Sequence, residues 1–186
     1  MTTVYVITRV LTFFGAVLRT FWEHLVCRMC KIPVEDIRVF KNDELCGHIE
    51  HEFAENLKHS FLICWLPFTL NFILGCAFLL TGSFRLFYIG ESIALENIGL
   101  LWLGISCFAN CAPSYEDALL LRDYIQGCKK TVVKVLVYPF FAVAYASAFL
   151  ERFSITFPVS VLVSIIFPRV FTLFFPILDY FDQLIG

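Results

Sequence analysis

A chain of 186 residues that is 59% hydrophobic, carries 22 phenylalanines and is only 16% charged is far from an ordinary soluble domain, where roughly a quarter of residues are charged. A soluble fold of this length could not hide so much apolar surface, and the apolar residues gather into runs near the ~20 needed to cross a hydrocarbon core. The net charge of −2, without a basic stripe interleaved with aromatics, argues against a nucleic-acid partner.

These features predict an all-α fold, a polytopic transmembrane helical bundle forming a single integral membrane domain over residues 1–186, whose first partner is the lipid bilayer. About five spans are expected. The first, residues 4–26, is apolar but crossed by Arg9, Arg19, Glu23 and His24. It has no basic segment before its apolar stretch and no small-x-small site after it, so it reads as a retained helix rather than a signal peptide. The second span, 60–81, is the cleanest and ends at Gly82 and Ser83, a turn signal. The third, 93–112, stops at Pro113, and a short polar helix is expected within 114–130. The fourth is 131–150. The fifth stretch, 154–178, contains Pro158, Pro168 and Pro176 and reads equally as one kinked helix or as two half-helices, since neighbours can satisfy the carbonyls that proline frees.

Basic residues set the orientation, because Lys and Arg are retained on the cytoplasmic side. Arg28, Lys31, Arg38, Lys41 and Lys58 share one side with Arg122, Lys129 and Lys130, against Arg85 and Arg152 on the other. The segments 27–59 and 113–130 are therefore expected to be cytoplasmic loops, with the N-terminus outside.

Three groups of residues could carry chemistry. Arg19 and Glu23 lie four apart on one helical face; charge within a membrane span costs roughly 2.5–3.5 kcal/mol, and this spacing suits an internal ion pair. The second group is His48, Glu50, His51, Glu52 and Glu55, with His59 beyond. If this segment is helical, His51, Glu55 and His59 share a face and could surround a zinc ion; the alternative is a solvated charged loop. The third is Ser114-Tyr115-Glu116-Asp117, which reads as a helix N-cap followed by acids in the first turn, while Asp117 is also a candidate metal ligand on the side of His48 and His51. Of eight cysteines, Cys27 and Cys30 form a lone C-x-x-C, weak as a zinc signal; Cys64, Cys76 and Cys107 read as small packing residues. No disulfide framework is expected.

Taken in order, Phe13-Phe14-Gly15, Cys27-Arg28, Gly47-His48-Ile49-Glu50-His51-Glu52, Pro67-Phe68-Thr69-Leu70-Asn71, Trp102-Leu103-Gly104-Ile105-Ser106 and Ala112-Pro113-Ser114-x-x-Asp117-Ala118 resemble a family of small membrane metalloproteases related to the site-2 proteases. In that family the first matching helix carries the zinc motif H-E-x-x-H about four residues before the Cys-Arg pair, and the third ligand is the aspartate of the Pro-Ser segment. Here those motif positions hold Arg19, Thr20, Phe21, Trp22 and Glu23. Both zinc histidines and the glutamate that takes a proton from bound water are missing, and Asp117 alone remains.

The resemblance therefore implies a degenerate member, a non-catalytic scaffold with no cofactor, in which Arg19, Glu23 and Asp117 form a binding site for another membrane protein or transmembrane segment. Homo-oligomerisation is compatible with the same reading. Two alternatives belong to other classes. One is an active metalloprotease whose zinc is held by ligands drawn from His48, His51, Glu55, His59 and Asp117, with Glu52 as general base. The other is a small transporter or channel subunit, suggested by Arg9, Arg19, Glu23 and the proline-broken last stretch.

Overall fold

The computed structural model describes residues 2–38, 48–54, 56–90, 94–129 and 131–173, without the side chains of residues 2–5, 38 and 48. Helix dominates. In chain order the elements are α1 (Thr2–Leu11), α2 (Phe13–Cys30), strands β1 (Val34–Arg38) and β2 (His48–His51), α3 (Leu57–Phe84) with a π-helical turn at Arg85–Ile89, α4 (Leu95–Ala109), α5 (Tyr115–Gly127), α6 (Thr131–Arg152) and α7 (Thr156–Thr172). The strands form one antiparallel hairpin, Val34 facing His51 and Arg38 facing His48, so the all-α expectation holds except for this small sheet.

Among the described residues two helices, not the five expected spans, are long and apolar enough to cross a membrane, Leu57–Ile89 and Thr131–Arg152, and two shorter apolar helices, Leu95–Ala109 and Thr156–Thr172, accompany them. The expected single helix over 4–26 is instead split at Thr12, and helix continues to Cys30. Of the proline-rich stretch, Pro158 and Pro168 lie in one helix, α7; Pro176 lies outside the described residues.

Helix α3 is the spine, and the rest lines up along its two halves. Its second half packs on α4 through close backbone approach: a Cβ on Gly82 would stand 2.6 Å from the Leu101 nitrogen, the kind of contact small residues permit between apolar helices. On that half α7 joins, where the Ser83 hydroxyl donates to the Ser164 carbonyl. Its first half meets α5 and α6: Cys64, Leu121, Ile125 and Phe141 form one buried cluster, and Phe140 stacks edge-on against Trp65 at 5.0 Å. Thus α4 and α5 follow one another along α3, and α6 and α7 do so in the opposite direction. The turns between these pairs, residues 110–114 and 153–155, fall at the level of the Thr12 break, around a polar crevice lined by Thr8, Arg9, Thr12, Asn110, Glu151 and Thr156.

The Thr12 break exchanges local hydrogen bonds for distant ones. In a straight helix the Gly15 N–H would bond the Leu11 carbonyl. Instead Gly15 N–H donates to Ser106 Oγ at 2.8 Å, and the Leu11 carbonyl accepts from Trp102 Nε1 at 2.8 Å. The Thr12 carbonyl takes Ser106 Oγ at 2.9 Å and Asn110 Nδ2 at 3.0 Å. Asn71 on α3 closes the set, donating to the carbonyls of Gly15 at 3.3 Å and Asn110 at 3.0 Å. Buried backbone groups must find such partners, and here α3 and α4 supply them.

Gly15 is the tightest point, since a Cβ there would lie 2.0 Å from the Ser106 carbonyl oxygen. That oxygen belongs to backbone and cannot swing aside. Gly15→Ala is expected to lower stability in detergent by at least the roughly 1–3 kcal/mol of an overpacked core. Gly99→Ala, where a new Cβ meets nothing within 4 Å, should leave thermal unfolding unchanged.

Candidate functional site

On α2, Arg19 and Glu23 lie one turn apart and do pair, Nε to Oε1 at 3.1 Å. The Arg19 guanidinium also reaches Glu151 at the end of α6, Nη1 to Oε1 at 2.7 Å. The same carboxylate oxygen accepts from Arg9 Nη2 at 2.5 Å. Arg9, Arg19, Glu23 and Glu151 are between 4% and 9% exposed, so the charges are held away from water and neutralise one another in a chain: Arg9, Glu151, Arg19, Glu23. Glu151, next to Arg152 in the sequence, did not stand out there. The signal that could have found it is arithmetic: the first span carries two arginines, Arg9 and Arg19, and only one carboxylate.

Asp117 belongs to a second cluster, at the start of α5. Ser114 caps that helix, its Oγ accepting the Asp117 N–H at 3.1 Å and donating to Asp117 Oδ2 at 2.6 Å. This reciprocal cap, with Glu116 and Asp117 in the first turn, matches the expected N-cap and places acid where the helix dipole favours it. The other oxygen, Oδ1, faces His51 Nε2 at 3.5 Å, and His51 Nδ1 lies 2.8 Å from the Glu52 carbonyl. Both ring nitrogens thus face acceptors, which favours the doubly protonated imidazolium. The Asp117 carboxylate, opposed by partial burial, raises the His51 pKa from 6.5 to about 9. The clusters are neighbours, since Glu23 and Asp117 both lie within electrostatic reach of His51.

The helix on which His51, Glu55 and His59 would share a face does not reach back to His51. His48 and His51 belong to β2, and α3 begins only at Leu57, so a fourfold helical spacing has no helix to act on. His59 is half-buried in the first turn of α3, and Glu52 is exposed just past the hairpin. Glu55 and the His48 side chain lie outside what is described. Among the described residues no three His, Cys, Asp or Glu side chains stand close enough to hold one metal ion. The Arg152 guanidinium, expected across the membrane from segment 113–130, stacks 5.0 Å over the Tyr115 ring, because α6 ends at the level of the α4–α5 turn.

Arg19→Leu removes the group shared by two buried carboxylates. Breaking a buried ion pair from one side costs about 3–5 kcal/mol, so a comparable loss is expected in unfolding measured in detergent. For His51 the folded pKa of about 9 exceeds the ordinary 6.5. Its stabilising contribution is then complete below pH 6.5 and lost as pH rises through 9. Thermal midpoints followed upward from neutral pH should fall across that window, and Asp117→Asn should remove the fall.

Comparison with models of known families, with curated proteins and with solved structures finds no match for this chain, so these two charge clusters carry its functional reading.

Proposed function

We propose that the chain is a multi-pass membrane protein on a site-2-protease-like scaffold that has given up hydrolysis and acts by binding a membrane partner, another protein or a transmembrane segment. The observation that carries this reading is Arg19. It occupies a position that the resemblance assigns to a zinc ligand, and its guanidinium bridges Glu23 and Glu151. A fixed cation there repels a metal ion by direct charge, and Glu23 is occupied as its counter-ion. The segments on which the resemblance rests also meet in space: Gly15, Asn71, Trp102 and Ser106 share one hydrogen-bond network. Exposed apolar residues on α6, Val132, Val135, Leu136 and Tyr138, are 60–79% accessible and suit lipid or a partner helix. Segments 27–59 and 113–130, proposed to be cytoplasmic, meet where the Tyr124 hydroxyl donates to the Ala54 carbonyl at 2.6 Å, as a shared side requires.

The alternative with a specific observation behind it is a metalloenzyme with moved ligands, because His51 and Asp117 do meet. Metal analysis of the purified protein separates the two. Zinc well below one per chain, unaffected by His51→Ala, is expected. Stoichiometric zinc lost in His51→Ala, with cleavage of a membrane peptide that disappears in Glu52→Gln, would overturn the binding reading.

A further inference from the structure

The elbow between α6 and α7 forms one wall of the polar crevice, contributing Glu151, Ser154, Thr156 and Phe157, while α1, the Thr12 break and the end of α4 form the other. The two halves of α6 are held differently. The first half is packed by Phe141 into the cluster with Cys64, Leu121 and Ile125. Beyond Phe141 the buried positions are only Ala144, Ala148 and Glu151. Two methyl groups bury little area; Tyr145 rests on the Phe141 cluster and against Tyr115, and Arg152 stacks on Tyr115, while the Glu151 carboxylate, gripped by Arg9 and Arg19, is the buried polar attachment of this half to α1 and α2. The elbow itself carries backbone strain. Ser154 is held at φ 58°, a left-handed conformation that non-glycine residues adopt at a cost.

We infer that the α6–α7 elbow is a strap clasped over the crevice by the Glu151 ion pairs, and that releasing the clasp opens the crevice while the rest of the bundle stays packed. The strap goes beyond the binding reading and does not depend on what the crevice receives. Packed apolar surface lets go by degrees with each exposed atom, but a carboxylate shared by two guanidinia is either seated or not, which gives the element two states.

The native thiols report on the separate regions. Cys111, next to the crevice, lies within electrostatic reach of both Glu151 and Arg19. Cys64 is fully buried under the Phe141 half of α6, and Cys107 is fully buried between α3 and α4. Maleimide labelling of the full-length protein in detergent, resolved residue by residue by mass spectrometry, tests the clasp. In Glu151→Gln, Cys111 is expected to label at least about tenfold faster (roughly the 1.4 kcal/mol that separates tenfold populations), while Cys64 and Cys107 keep their rates. Arg9→Gln, which leaves the Arg19 pair in place, should give a smaller acceleration at Cys111 alone. An unchanged Cys111 rate, or acceleration of all three thiols together, would overturn the strap. Metal content plays no part in this readout, so it can fail while the binding reading stands, and the reverse.

Discussion

One carboxylate oxygen, Glu151 Oε1, takes hydrogen bonds from two guanidinia on two different helices, and much of the architecture is arranged to make that acceptable. Removing charge from water is expensive and is offset only when each charge is paired and its hydrogen-bonding groups are used. The chain meets the condition by bringing three helices to one point: α1 supplies Arg9, α2 supplies Arg19 and Glu23, and α6 supplies Glu151. The Thr12 break lies between the two arginines. Without it they would keep the fixed relation of a straight helix, ten residues and about 15 Å apart along the axis. The break in turn requires Trp102, Ser106 and Asn110 from α4 to serve the backbone groups it frees. The ion pairs and the amide network are therefore one structural commitment.

This accounts for what could be read from sequence. Arg19 and Glu23 are legible because a helix fixes residues four apart on one face, and Ser114 is legible because a cap is decided within four residues. Glu151 and the Thr12 break are not, since their partners stand more than ninety residues away. The hairpin was hidden for another reason. His51, Glu55 and His59 carry a spacing that fits a helix, but the backbone from His48 to His51 pairs with Val34–Arg38; tertiary pairing overrides a local pattern in so short a stretch. The short helix within 114–130 and the apolar cores of the later spans were legible from hydropathy and proline placement. Their ends were not, because α4 and α6 end, and α7 begins, at the crevice.

The two charge clusters differ in kind, and the difference bears on function. Arg9, Arg19, Glu23 and Glu151 balance one another and are nearly closed to solvent, as a structural lock would be. Asp117 and His51 join a helix cap to a hairpin whose following residues, Glu52 and Phe53, are exposed. The first cluster holds the helices in register and the second ties the hairpin to α5; under the proposed binding reading, that hairpin end is the one a partner meets.

The length of the spine has a consequence of its own. Leu57–Ile89 is a rod of 33 residues, about 50 Å at 1.5 Å per residue, against a hydrocarbon thickness of about 30 Å. Tilt alone at the usual ~20° shortens its projection very little. In a bilayer one end must therefore stand in the headgroups or beyond. The end carrying Lys58, His59 and the hairpin is the polar one, and placing it there leaves the Phe-rich remainder to match the lipid. A membrane a few ångströms thicker or thinner would then shift how far the hairpin end protrudes, so bilayer thickness itself becomes a variable that tunes this surface.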